Sequence, residues 1–152
     1  MFSETDIQMM RFALEEARIA FAEGEIPVGA VVADGERVLA RAHNRRATDA
    51  DPCAHAEILA LRKAAARLGR WRLQGLTLYV TLEPCPMCAG AISQARVSRL
   101  VYGAPDPNQG CAGSVYRIPE DPAFSHFCPS DGGALESECR EMLNCFFESK
   151  RK

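Results

Sequence analysis

Two short stretches carry the residue types most able to do chemistry: His55-Ala56-Glu57 and Pro84-Cys85-Pro86-Met87-Cys88. One imidazole and two thiolates suit zinc, which in a catalytic site takes three protein ligands and leaves a fourth position for water. His55, Cys85 and Cys88 supply that set, for one ion per chain. Zinc acidifies a bound water, so hydroxide becomes available near neutral pH. Glu57, two residues from His55, is the nearest carboxylate in sequence to carry the proton. Two other readings fit part of the pattern. Cys85 and Cys88 could form a redox pair, which leaves His55 and Glu57 without a task. A structural zinc would need a fourth protein ligand, from Cys53, Cys111 or His43, and the sequence holds no second Cys-x-x-Cys or paired His.

These residues need elements to hold them. Ile7, Met10, Leu14, Ala17 and Phe21 recur at helical spacing between Ser3 and Gly24, which predicts an amphipathic helix over 5–23. The runs 28–33 and 37–43 flank Asp34-Gly35 and read as an antiparallel hairpin. After a loop over 44–53, an Ala-rich helix is expected over 54–68, ended by Gly69, which puts His55 and Glu57 in its first turn. The β-rich run 76–82 leads into Pro84, and Pro86 suits the first position of a helix reaching about Ala95. Cys85 and Cys88 then lie where the helix dipole favours thiolate. A strand over 99–102, a Pro/Gly-rich loop over 103–114, an irregular stretch from Pro119 to Pro129 and a helix over 135–147 complete the order. A strand before that helix is poorly written in 126–133. The order implies a three-layer α/β/α sandwich with a mixed central sheet, as one domain over 1–152.

Composition fits a soluble globular protein: 47% of residues are apolar and 25% charged. No apolar run approaches membrane-spanning length, and the acidic N-terminus does not resemble a secretory signal, so a cytoplasmic location with no membrane contact is expected. Seven cysteines, an odd number, argue for thiols and a metal rather than a disulfide framework. The net charge of −2 announces no nucleic-acid partner. Its distribution is uneven, however. Residues 1–36 hold two Arg against eight acidic residues, whereas 37–72 hold nine basic residues against three acidic ones. A basic block around His55 suits a phosphate-bearing substrate, and a solvated helix face is the alternative.

Several segments resemble the cytidine-deaminase superfamily and, within it, the bacterial tRNA-specific adenosine deaminases, which convert a wobble adenosine to inosine. They are Glu25-Ile26-Pro27-Val28-Gly29-Ala30-Val31, Asn44-Arg45, Ala54-His55-Ala56-Glu57, Leu78-Tyr79-Val80-Thr81-Leu82-Glu83-Pro84-Cys85, Met87-Cys88-Ala89-Gly90-Ala91 and Gly110-Cys111-Ala112-Gly113-Ser114. The pairing of H-x-E with P-C-x-x-C is shared by many zinc deaminases. The narrower resemblance rests on the loop from Asp106 to Ser114 and on Phe146-Phe147. It implies a cytidine-deaminase-like fold, zinc on His55, Cys85 and Cys88, and Glu57 as the proton shuttle, with the Cys85 amide helping to hold hydroxide. It also implies that Asn44 bonds the target base, that Val28 and Ala30 line its pocket beside Pro84, and that Asp106 grips the ribose. The implied partners are a tRNA anticodon stem-loop and a second copy of the chain in a homodimer. Cys53 departs from the family's usual Thr, and Pro107-Asn108-Gln109 replaces a stretch that often carries Lys.

At the C-terminus, Leu135, Met142, Leu143 and Phe146 fall on the buried side of the last helix. Phe147 falls at an angle that could present its ring outward beside Lys150, Arg151 and Lys152, a stacking ring next to cations of the kind single-stranded RNA sites use, and a hydrophobic helix end with a solubilising tail is the alternative. A deaminase of guanine or cytosine bases or nucleosides on the same fold is the nearest rival, and a thiol redox protein is a more distant one.

Overall fold

Alternation along the strands sorts apolar side chains onto two sheet faces, and each face is covered by two helices. A computed structural model describes residues 1–151. Its strands are β1 (Gly29–Asp34), β2 (Arg37–His43), β3 (Thr77–Leu82), β4 (Arg99–Ala104) and β5 (Ser130–Gly132). They form one sheet in the order β2-β1-β3-β4-β5, antiparallel at β2/β1 and β1/β3 and parallel at β3/β4 and β4/β5. Val31 and Ala33 of β1, Tyr79 of β3 and Val101 of β4 pack against α1 (Glu4–Ala22) and the start of α4 (Glu136–Arg151). Their neighbours Ala30, Val32, Leu78, Val80 and Leu100 pack against α2 (Ala56–Leu68) and α3 (Pro86–Ala95). The result is the three-layer sandwich with a mixed sheet that the element order implied.

Local signals explain most boundaries. Ser3 caps α1 by accepting from the Asp6 N–H at 3.0 Å, and the Asp6 carboxylate accepts in return from the Ser3 N–H at 3.1 Å. α2 stops where Gly69 takes a left-handed φ of 68°, a conformation that glycine adopts without a Cβ clash. Pro86 opens α3 as expected.

Three boundaries differ from the sequence expectation by two residues or more. α2 begins at Ala56, so His55 is its N-cap residue rather than part of its first turn. β4 runs on to Ala104, because Leu82 of β3 pairs with that residue and extends the ladder. The last helix reaches Arg151, and the basic residues Lys150 and Arg151 in its final turn suit the negative end of the dipole. The weakly written strand exists as the three residues of β5. Pairing with Leu100, Val101 and Tyr102 supplies what its own pattern lacks.

Asp6 ties the first helix to the sheet. It is 4% exposed and accepts from the Tyr79 hydroxyl at 2.8 Å and from Arg99 at 2.8 and 3.1 Å. Burial pushes its carboxyl up, but the Arg99, Tyr79 and Ser3 hydrogen bonds outweigh this and hold it below the ordinary range. Among the described residues, no helix is long and apolar enough to cross a membrane.

Candidate active site

The sheet register brings distant residues to one edge. β1 starts where β3 ends, since Ala30 pairs with Val80, and Gly29 pairs with His43 at the end of β2. Leu82 pairs with Ala104, so β3 and β4 end together. Val28, Asn44, Glu83 to Cys85 and Pro105 to Asp106 therefore leave the sheet at the same edge. The ends of parallel strands and the starts of the helices that follow form the usual ligand-binding crevice of open α/β sheets. Here α2 and α3 both begin at this edge, with His55 and Cys85 as their N-cap residues and Cys88 in the first turn of α3.

The two helix starts bring His55, Cys85 and Cys88 together. Their ligand atoms all lie within 4.8 Å of one another. His55 Nδ1 stands 3.5 Å from Cys85 Sγ and 3.4 Å from Cys88 Sγ. A tetrahedral zinc with ordinary Zn–N and Zn–S bonds requires nitrogen-to-sulfur edges of about 3.6 Å. The donor chemistry and the spacing both fit that ion. Cys88 is fully buried, whereas Cys85 and His55 are partly exposed and line a cavity.

Of the three donors, the electrostatics favour the ligand form at Cys85 alone. Hydrogen bonding to Cys88 and then to His55 lowers the Cys85 thiol to about 4, which makes it a thiolate. Cys88 is pushed upward, first by that same hydrogen bond and then by burial. His55 is raised, chiefly by its contact with Cys85. Glu57 is 4% exposed, and burial raises its carboxyl to about 7 against the opposing effects of its backbone amide and His55. Among the described residues, Cys53, Cys111 and His43 do not join the ligand group, and His43 is held between Glu16 at 3.0 Å and Glu23 at 2.8 Å. All seven cysteines are free thiols.

A cavity of about 500 Å³ opens above this group. Val28, Asn44, Asp106 and Phe147 line it with His55, Glu57 and Cys85. Ala30 and Pro84 do not. Ala30 lies deeper along β1, fully buried in the core beneath α2, and Pro84 is buried with its carbonyl accepting from the Cys111 N–H at 2.8 Å. Asn44 also shapes its own loop. Its amide donates to the Ile26 carbonyl at 3.3 Å, and its Oδ1 accepts from the Arg46 N–H at 3.2 Å. Asp106 does the same, with Oδ1 accepting from the N–H groups of Asn108 and Gln109 at 3.0 and 3.2 Å. Both residues thus shape a turn and line the cavity.

α4 contributes more than its single expected residue. Arg140, Leu143, Asn144 and Phe147 fall on one helical face and all line the cavity. Their spacing of three and four was visible in the sequence, but nothing there said which wall the face would meet. Phe147 is 43% exposed, whereas Phe146 is 5% exposed and packs edge-on against Phe21 at 5.5 Å. Lys150 sits 5.3 Å over the Phe146 ring rather than beside Phe147. Lys152 lies outside the described residues. Arg46 of the basic block also lines the cavity, while Lys63 and Arg67 donate to carbonyls of β2.

The family model for MafB19-like deaminases matches residues 4–119. The tRNA-specific adenosine deaminase of Bacillus subtilis (strain 168) is 48% identical over 143 residues, covering 94% of this chain and 89% of that protein. A solved structure from studies of A-to-I editing by tRNA:A34 deaminases at the wobble position of transfer RNA superposes with a TM-score of 0.86. It is 48% identical and covers 90% of this chain and 99% of its own. The guanine deaminase of Bacillus subtilis is more distant, with a TM-score of 0.62 and 39% identity over 64% of this chain and 63% of that one.

Proposed function

The chain belongs to the family of tRNA-specific adenosine deaminases, and on that premise we propose that it hydrolyses the wobble adenosine of a tRNA anticodon loop to inosine, releasing ammonia. One observation carries the reading: a ligand-competent His55, Cys85 and Cys88 group and the buried carboxyl of Glu57 share one open cavity. Residues 1–152 are read as one deaminase domain, consistent with the single sheet.

His55, Cys85 and Cys88 would hold one zinc ion, which when bound supplies Lewis-acid activation of a water molecule. Glu57 is the acid/base group. As carboxylate it accepts a proton from the attacking water and delivers it to N1 of the adenine, then takes the remaining proton of the added hydroxyl and passes it to the departing amino group, which leaves as ammonia. Water adds at C6 and the C6–N bond breaks, so adenosine and water give inosine and ammonia. Its position inside the cavity wall shields the proton it carries from bulk water. Asn44 and Val28 would hold the base, Asp106 the ribose, and Phe147 a neighbouring base by stacking. Ala30 supports the Val28 strand from the core, and Pro84 fixes the Cys85 backbone.

The substrate is an RNA loop because its bases are already unstacked, so extruding one costs little. Arg46 and Arg140 at the cavity suit phosphates flanking that nucleotide. A homodimer, as in the resemblance, is part of this reading, and so is a cytoplasmic site of action, where the tRNA substrate is found.

Incubating purified, zinc-loaded protein with an anticodon stem-loop, free adenosine, guanine and cytosine separates the readings. Inosine at the wobble position, with the free compounds untouched, is the expected result. The similarity to a guanine deaminase keeps a small-molecule substrate as the second reading, and faster turnover of guanine than of RNA would establish it.

A further inference from the structure

Glu83 ends the run from β3 two residues before Cys85, and it is 2% exposed. Its carboxylate has no cation within salt-bridge distance among the described residues. Instead it receives four donors from one loop. The Asp106 N–H donates at 2.9 Å, the Ala112 N–H at 3.0 Å, the Ser114 N–H at 2.9 Å, and the Ser114 hydroxyl makes a fourth, short bond. Main-chain bonds run alongside: the Glu83 N–H donates to the Ala104 carbonyl at 2.9 Å and the Cys111 N–H to the Pro84 carbonyl at 2.8 Å. Gly110 lies so close that a Cβ there would stand 2.3 Å from Glu83 Cδ, so the loop can close over the carboxylate only with glycine at that point.

The same loop has a second face. Pro105, Asp106, Pro107, Asn108 and Gln109 line the cavity. One buried carboxylate therefore fastens the nucleoside-facing wall to the strand end that carries Cys85. A neutral side chain cannot replace it. An amide offers one acceptor oxygen and turns its own two hydrogens toward the donors of Ala112 or Ser114, and a hydrocarbon leaves all four donors unpaired.

We propose that Glu83 is a positioning residue for the deamination: it locks the 105–114 loop to the metal-ligand strand end and, through the donors of that loop, sets the distance between the bound nucleoside and Glu57. The proposal rests on the deaminase reading above. A loop freed at this anchor would let the base sit off its reactive position, and a displacement of about 1 Å can cost on the order of a hundredfold in rate.

The test uses the full chain loaded with zinc and the variants Glu83→Gln, Ser114→Ala and Gly110→Ala. Zinc per chain, thermal midpoint, amide exchange at Asp106, Ala112 and Ser114, and kcat and KM are measured well below the midpoint. The substrate is whichever of the four compounds above the wild type turns over. Glu83→Gln is expected to keep full zinc, to exchange those three amides faster, to raise KM about tenfold and to lower kcat by a further ten- to hundredfold. Ser114→Ala, which removes one of four donors, should show the same pattern at about threefold in KM. Should Glu83→Gln fail to fold, Ser114→Ala and Gly110→Ala decide the matter by the same readouts. A lowered midpoint with kcat and KM unchanged would make Glu83 merely structural and overturn the proposal. So would loss of zinc in step with loss of turnover. A wild type that deaminates none of the four compounds refutes the functional reading itself, and the proposal falls with it. Turnover of guanine alone refutes only the RNA substrate and leaves Glu83 to be judged on guanine.

Discussion

The floor and the wall of the cavity are built in different ways. At the floor, His55 and Glu57 are two residues apart and Cys85 and Cys88 three apart, each pair at the start of one helix. The wall is assembled from Val28, Asn44, the 105–109 segment and one face of α4, which meet only because β1 begins and β2, β3 and β4 end at the same edge. Chemistry that must hold sub-ångström geometry sits on rigid helix termini, where neighbouring residues share a face. On the proposed reading, recognition of a large, flexible substrate is spread over loops and a terminal helix. Damage to the floor should therefore abolish the reaction, and damage to the wall should weaken binding by degrees.

The largest effect is expected at the ligands. His55→Ala, Cys85→Ala or Cys88→Ala should remove the metal and all measurable turnover, and should lower stability, because metal binding is shared with folding. Zinc analysis of the purified variants checks this, and full occupancy in any of the three would mean the ligand set is wrong. Replacing Cys53, Cys111, Cys128, Cys139 and Cys145 together should leave zinc stoichiometry unchanged, since none of the five joins the ligand group. Next comes Glu57→Gln. It should keep fold and zinc yet lower kcat by about a hundred- to ten-thousandfold, because it removes the proton carrier without touching a ligand. Zinc lost together with activity would erase the distinction between holding the metal and moving the proton.

How much of this was legible in the sequence follows the same division. The floor could be read directly, because its residues lie within short motifs whose spacing has a mechanical meaning. The helices were legible from periodicity and from the Ser3, Gly69 and Pro86 signals. The wall was legible only in part. Val28, Asn44, Asp106 and Phe147 line it, whereas Ala30 and Pro84 face the core and the backbone instead. Arg140 and Asn144 went unnamed because helical spacing says which residues share a face but not what the face meets. Glu83 was quoted only as part of a motif, since the four donors that define its role lie 23 to 31 residues further on. β5 was faint because three residues stabilised by a neighbour need little pattern of their own.

A smaller effect concerns stability away from both regions. Asp6 is held below its ordinary value, so the ionised form is the one the fold favours. Its contribution is present above the unfolded value of 3.8 and is lost as pH falls through the lower folded value. The part of the denaturant midpoint that Asp6 supplies should therefore be flat near neutrality and drop below about pH 4. Asp6→Asn should lower stability by about 1.5–3 kcal/mol at pH 7 and remove part of that acid dependence, with zinc content unchanged. An acid limb as steep in Asp6→Asn as in the wild type would assign it to other carboxylates, such as Glu25, which Thr48 and Ala47 hold low against burial.

The smallest effects belong to the far end of the wall. Phe147→Ala should weaken stem-loop binding by ~1–3 kcal/mol with little change in salt dependence, as expected for a stacking ring. Truncation after Glu148 tests the cations instead, and each lost phosphate contact should flatten the log-log salt slope by about 0.7. Lys150 packs over Phe146, so the truncation should act less through charge than the sequence alone suggested. Unchanged affinity in both variants would move RNA recognition toward Arg46 and the basic block.

The most direct test of the central claim is nucleoside analysis of an anticodon stem-loop carrying a wobble adenosine, after incubation with zinc-loaded wild type and with Glu57→Gln. The account predicts inosine at that single position with the wild type and, over the same time, about a hundredth as much or less with the variant. Adenosine left intact by a fully zinc-loaded wild type, or equal conversion by Glu57→Gln, would contradict it.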